Sequence, residues 1–175
     1  MIVNIIKSDI WDLKNVFIGI PVNTHLICGR GIAFQWKQLF SKEYKIAYKN
    51  KTLLIEEPPK KKLLSENPLL ISYKNIMLVN WHFLLPVKYQ WYEKASLELI
   101  SKSLKNLSEF FSADGEEIYL PKMGCGFGEL SWNAVFPLYE NSPLKIVLIE
   151  PVPEQIKERY PKSVIPSVRK DRLFS

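Results

Sequence analysis

The stretches Asn23-Thr24-His25-Leu26-Ile27-Cys28-Gly29-Arg30-Gly31-Ile32-Ala33 and Pro121-Lys122-Met123-Gly124-Cys125-Gly126-Phe127-Gly128-Glu129-Leu130 lie far apart, yet hold five of the seven glycines. Each follows an apolar run with the character of a strand and precedes a segment with the character of a helix. Glycine at such a turn lets backbone approach a ligand and turns N–H groups toward it. Two such loops on one sheet suit the two ends of a diphosphate. Gly126 is expected at positive φ beside phosphate, where a side chain would fill ligand space. His25, inside the first stretch, is a candidate general base. His82 alternates within an apolar run and reads as structural. Cys28 and Cys125 lack CxxC spacing, which argues against a metal site or a disulfide framework. Without a histidine partner Cys125 reads as a small loop residue. Trp91 and Trp132 read as packing residues.

The elements that must carry these groups alternate. Strands are expected at Ile2 to Lys7, Val16 to Val22, Leu53 to Glu56, Leu69 to Tyr73, Ile76 to Phe83, Glu117 to Leu120 and Leu144 to Ile149. Helical spacing marks Gly31 to Phe40, with Ile32, Trp36, Leu39 and Phe40 as its stripe. Tyr92 to Phe111 carries Leu97, Ile100, Leu104, Leu107 and Phe111 at three-and-four spacing, and Asp114-Gly115 closes it. Trp132 to Tyr139 and Glu154 to Tyr160 read as further helices. The polar stretch between Glu56 and Leu69 reads as an excursion, and residues 161–175 as a tail. The pattern predicts a three-layer α/β/α fold on a mixed, mostly parallel sheet, with a domain over 1–160. Ligands of such sheets bind outside the carboxyl ends of the strands. Both glycine stretches and Pro86-Val87-Lys88 fall at that edge.

The first stretch is neither a Walker loop, having no Gly-Lys-Ser/Thr, nor a dinucleotide fingerprint, lacking its third glycine. It resembles the first ligand loop of macrodomains, the ADP-ribose-binding fold, where an asparagine after a strand precedes Gly-x-Gly-Ile-Ala. Gly124-Cys125-Gly126-Phe127-Gly128-Glu129-Leu130-Ser131-Trp132 resembles the second macrodomain loop. Ile6-Lys7-Ser8-Asp9-Ile10 is similar to the Gly-Asp-Ile/Leu element near the start, with Ser8 in place of glycine. Leu85-Pro86-Val87-Lys88-Tyr89-Gln90-Trp91 resembles the Pro-Thr-Lys-x-x-Trp segment of the branch holding the DNA ADP-ribosyl glycohydrolase antitoxins. The four come in family order and span Ile2 to about Pro151. The chain departs from the human terminal ADP-ribose glycohydrolase, a more distant relative, which has an aspartate where Gly128 stands. Residues 44–74 do not align.

The resemblance implies roles. Asp9 would accept the adenine amino group and the Ile10 N–H would donate to the ring. The N–H groups of Gly29, Arg30, Gly31, Ile32 and Ala33 would face phosphate and the distal ribose. Gly124, Cys125, Gly126, Phe127, Gly128 and Glu129 would wrap the diphosphate as a nest. Asn23 and Lys88 would be catalytic. Asn23 would hold the ribose hydroxyls. Lys88 would either stabilise the leaving oxyanion or, deprotonated, attack C1''. The implied activity is removal of ADP-ribose from modified DNA or protein, without metal or cofactor. The alternative readings are an ADP-ribose 1''-phosphate phosphatase using the same cleft, a non-catalytic reader or sponge of ADP-ribose derivatives, and a basic nucleic-acid-binding domain with no catalysis.

Charge and composition fit these readings. A net charge of +6 favours acidic partners, nucleic acid among them, with Lys60-Lys61-Lys62 the only basic run. No apolar run reaches the roughly 18 residues a membrane span needs. The start of the chain is charged too early for a signal peptide, so a cytoplasmic location is expected; a monomer is expected as well.

Overall fold

The computed structural model describes residues 1–58, 61–66, 68–111 and 115–152. Eight strands, β1 (Ile2–Lys7), β2 (Phe17–Asn23), β3 (Lys62–Glu66), β4 (Leu69–Tyr73), β5 (Ile76–Val79), β6 (His82–Lys88), β7 (Glu117–Leu120) and β8 (Lys145–Glu150), join in one sheet. Their order is β1-β8-β7-β2-β6-β5-β4-β3. The pairings β1–β8, β8–β7, β7–β2 and β2–β6 are parallel. From β6 to β3 the sheet runs antiparallel. Helices α1 (Gly31–Leu39) and α2 (Ser41–Lys49) cover one face, and α3 (Leu97–Phe110) and α4 (Trp132–Glu140) the other. The three-layer, mixed architecture is the expected one.

Alternation along each strand builds the two cores. On β2, Ile18, Ile20 and Val22 face the α1–α2 side, where Trp36 and Ala47 are fully buried. On β8, Ile146 and Leu148 face the α3–α4 side with Ile100, Leu104, Leu107, Val135 and Tyr139. Such sites are costly to empty: truncating a buried tryptophan such as Trp36 removes about 3–5 kcal/mol. α3 starts where Ser96 accepts the Leu99 N–H at 3.2 Å, and α4 where Ser131 accepts that of Ala134 at 3.3 Å.

Several local expectations change. Ile76 to Phe83 is not one strand but the hairpin β5–β6, turned at Asn80-Trp81 with Asn80 at φ 55°. Leu53 to Glu56 is not a strand, because a 3-10 turn over Lys51–Leu54 buries Leu54 and leaves Ile55 exposed. The polar excursion contains β3, paired to β4. α2 (Ser41–Lys49) corresponds to no element expected from the sequence. α3 begins at Leu97 rather than near Tyr92, since the Ser96 cap sets its first turn. The helix expected at Glu154 to Tyr160, the tail 161–175, Lys60 and Asp114 fall outside the described residues.

Candidate functional site

Parallel β7, β2 and β6 end side by side, and the segments leaving them enclose a cleft of about 300 Å³. Of the expected site residues, Asn23, Gly29, Arg30, Gly31, Ile32, Ala33, Lys88, Gly124, Gly126, Phe127 and Gly128 line it. Asp9, Ile10, Cys125 and Glu129 stand outside this lining. Asp9 follows β1 at the same sheet edge, where its carboxylate accepts the Trp11 N–H at 3.0 Å. Ile10 is buried beside it.

Asn23 and Lys88 face each other as register partners at the ends of β2 and β6, after a bulge between Val22 and Asn23. Asn23 is 5% exposed. Its Oδ1 accepts the N–H groups of His25 and Ile27, each at 3.1 Å, and its Nδ2 donates to Ile27 O at 2.7 Å. Three bonds to one loop fix the amide's orientation and leave its second N–H for a ligand. Tyr44 Oη from α2 donates to Leu26 O at 3.1 Å. The first loop is therefore held by polar side chains.

That loop delivers the start of α1 to the cleft. Ser96 and Ser131 cap α3 and α4, whereas the residue before α1 is Arg30, which supplies no side-chain oxygen. The N–H groups of Gly31, Ile32 and Ala33 have no partner among the described residues. An uncapped helix start carries partial positive charge and free donors, the requirements of an anion site. Behind it, Trp36 Nε1 donates to His82 Nδ1 at 3.1 Å and pins α1 to the sheet. Burial pushes His82 down to about 4, so it is neutral and structural, as expected.

The second loop is held by volume. A Cβ on Gly128 would lie 2.6 Å from Gly124 O and 2.8 Å from Ala95 Cβ, so no side chain fits there. Gly124, at φ 77°, packs against Ile100, Ala95 and Leu130. Tyr139 Oη, fully buried on α4, accepts the Met123 N–H at 2.9 Å and donates to Pro121 O. Gly126 corrects an expectation: its φ is not positive, and a Cβ there would meet only open space. The N–H groups of Gly126, Phe127 and Gly128 have no partner among the described residues. A row of such donors forms an anion-binding nest.

Electrostatics set Lys88 apart. Burial, then the Arg30 guanidinium, push its ammonium below the ordinary lysine value, and Glu129 opposes them. Glu129 itself sits at φ 64°, unusual for a residue with a side chain. Arg30 stacks over Phe127 at 4.6 Å and links the two loops above the cleft. Burial raises both thiols, Cys28 to about 12, and each donates to a carbonyl of its own loop, so neither is an activated nucleophile. His25 turns away from the cleft toward Tyr89 O, 3.0 Å from its Nδ1.

Trp91 was expected to pack, but it is 49% exposed and lines the cleft. Trp132 does pack, with its ring 4.9 Å from that of Tyr139. Val22, Ile27, Val87 and Lys122 also line the cleft unforeseen. Alternation along β2 marks Val22, and position next to Lys88 marks Val87. Among the described residues no helix is long and apolar enough to cross a membrane, and no group of His, Cys, Asp or Glu could hold a metal ion.

No family model matches the chain. A curated DNA ADP-ribosyl transferase-DNA ADP-ribosyl glycohydrolase fusion protein from Thermosipho africanus (strain H17ap60334) is 26% identical over 144 residues. That match covers 77% of this chain, which spans 37% of the length of the fusion protein. Among solved structures, the macrodomain of Mycobacterium tuberculosis DarG superposes with a TM-score of 0.63 at 20% identity, covering 87% of this chain and 99% of that one. Thermosipho africanus DarTG in complex with ADP-ribose gives 0.60 at 23% identity, covering 87% of this chain and 44% of that one. With its sheet order, its two glycine loops and this likeness together, the chain has the macrodomain fold.

Proposed function

We propose that the cleft binds ADP-ribose and that the protein releases ADP-ribose from a modified macromolecule, DNA. The observation that carries this reading is the pair Asn23–Lys88, set opposite each other between two rows of free backbone N–H groups. The α1 start and the Gly126–Gly128 nest would hold the diphosphate. Asp9 and Ile10 would take the adenine farther along the same edge. The remaining Asn23 N–H would bind the distal ribose beside Lys88.

In this mechanism the bond from C1'' to the target breaks, Lys88 gives its proton to the departing atom, and water adds to C1'' and returns a proton. An ammonium made less stable by burial and by Arg30 is a better acid than an exposed one. Lys88 acting instead as a nucleophile would leave an adduct trappable by reduction. Gly128 has no room for a side chain, so an aspartate–lysine pair of the human kind has no place here.

DNA as the target is supported by the name of the curated relative and by the rim of the cleft. Trp91 and Phe127 line the cleft and are exposed, with Arg30 over the Phe127 ring and Tyr92 edge-on against Trp91, and aromatic rings among cations suit bases and phosphates of a single strand. The test is incubation with ADP-ribosylated single-stranded DNA, ADP-ribosylated protein and ADP-ribose 1''-phosphate. Release of ADP-ribose from the DNA is expected. Release only from protein would reassign the target. Phosphate release alone would mark a phosphatase, and binding without release a reader.

A further inference from the structure

We propose that Thr24, assisted by His25, is a positioning residue for Lys88: the pair brackets the end of β6 and fixes where the lysine emerges into the cleft. This rests on the functional reading above for its kinetic consequence, but not for its structural one.

Lys88 is the last residue of β6, and beyond it the chain turns away through Tyr89 and Gln90. A strand end carrying a functional side chain frays unless its backbone is held. Here the holding groups come from the first loop. The Thr24 N–H donates to Lys88 O at 3.1 Å, one step past the last β2–β6 register pair. Thr24 Oγ1 donates to Tyr89 O at 2.8 Å. His25 Nδ1 lies 3.0 Å from the same oxygen and 3.2 Å from Thr24 Oγ1; in the tautomer protonated at Nδ1 it donates to that carbonyl. Two consecutive carbonyls, at Lys88 and Tyr89, thus receive three donors from two consecutive residues.

The bracket is itself rigid. Thr24 is 2% exposed, so its hydroxyl faces no solvent that could replace Tyr89 O. Asn23 takes the N–H groups of His25 and Ile27, which fixes the loop around Thr24. His25 does not line the cleft, and its Nδ1 serves as half of a clamp. Its location in the first stretch gave the sequence impression of chemistry, whereas its bonds place it behind the lysine. A side chain misplaced by about 1 Å from its productive position costs on the order of a hundredfold in rate, so small freedom at Lys88 would be felt in turnover.

The test compares wild type with Thr24→Val, which keeps shape and removes the hydroxyl, Thr24→Ser, which restores it, and His25→Ala, which removes one donor. Three quantities are read: the titration of Lys88 by NMR of labelled lysine, ADP-ribose affinity by calorimetry, and single-turnover release of ADP-ribose from modified DNA. Thr24→Val is expected to shift the Lys88 titration and slow release by about tenfold or more, with affinity within about twofold. His25→Ala should move both readings the same way by less, and it serves alone if Thr24→Val does not fold. Thr24→Ser should follow wild type. Wild-type Lys88 titration and rate in both Thr24→Val and His25→Ala would overturn the clamp, as would a Thr24→Ser variant as impaired as Thr24→Val. If wild type releases ADP-ribose from no substrate, the functional reading falls, and the Lys88 titration alone still decides the clamp.

Discussion

The two glycine loops look alike as sequence but are supported by different physics. The loop after β2 is tied by side-chain hydrogen bonds: Asn23 to His25 and Ile27, Thr24 to Tyr89, and Tyr44 to Leu26. The loop after β7 takes one side-chain anchor at its start, Tyr139 on Met123 and Pro121, and its glycine turn is wedged by shape, with Gly124 and Gly128 against Ala95 and Ile100. In each loop one glycine, Gly29 or Gly126, faces open space instead. Glycines that the fold needs and glycines that leave room for a ligand thus sit two residues apart, and only the surroundings distinguish them.

The sharpest way to break this contrast is Gly128→Ala. One methyl group would press on the Gly124 carbonyl and on Ala95, and denaturant unfolding should show a loss of about 3 kcal/mol. Asn23→Ala attacks the other loop by removing its acceptor. Two backbone N–H groups lose their partner, and about 2 kcal/mol should go, together with weaker ADP-ribose binding by calorimetry.

Acid should touch the polar side of the contrast selectively. His82, which anchors α1 through Trp36, stays neutral when folded down to about 4, whereas in the unfolded chain it takes a proton near its ordinary 6.5. Between those values the unfolded state binds more protons, so stability falls as pH falls. The expected loss between pH 7.5 and pH 5.5 is about 1.4 kcal/mol. His82→Gln, which accepts from Trp36 without titrating there, should flatten that part of the stability–pH curve. An unchanged slope would remove His82 as its source. The smallest effect on stability, within about 0.5 kcal/mol, is expected of Gly126→Val, since nothing crowds that position. The same variant should lose ADP-ribose binding, which calorimetry would register. Normal binding would mean that the second loop does not hold the ligand.

How much of this was legible follows the same division. The strand–loop–helix unit β2–α1 and the second loop were readable because Gly-x-Gly patterns and apolar periodicity both marked them. The Asn23–Lys88 pairing was readable as a shared sheet edge, not as register. The β5–β6 hairpin was hidden, because its turn is Asn80-Trp81 inside an apolar run with neither Gly nor Pro to mark it. β3 was hidden in a lysine-rich stretch because an edge strand needs only one buried side. α2 was masked by its polarity, although Tyr44, Ala47 and Tyr48 have helical spacing. Trp91 was misjudged because a tryptophan's exposure depends on the loop that carries it. The positive φ assigned to Gly126 belongs to Gly124 and Glu129 instead, a distribution set by packing against α3 rather than by the order of residues.

The claim on which the account depends is that Lys88 acts on the reacting bond rather than on the bound ligand. Lys88→Ala tests it directly, with ADP-ribose affinity measured by calorimetry and release of ADP-ribose from modified single-stranded DNA measured in a single turnover. In the proposed mechanism the charge that Lys88 meets develops only as the bond breaks. Affinity should therefore stay within about threefold while the rate falls by about a hundredfold or more. A Lys88→Ala protein that releases ADP-ribose at the wild-type rate would contradict the account.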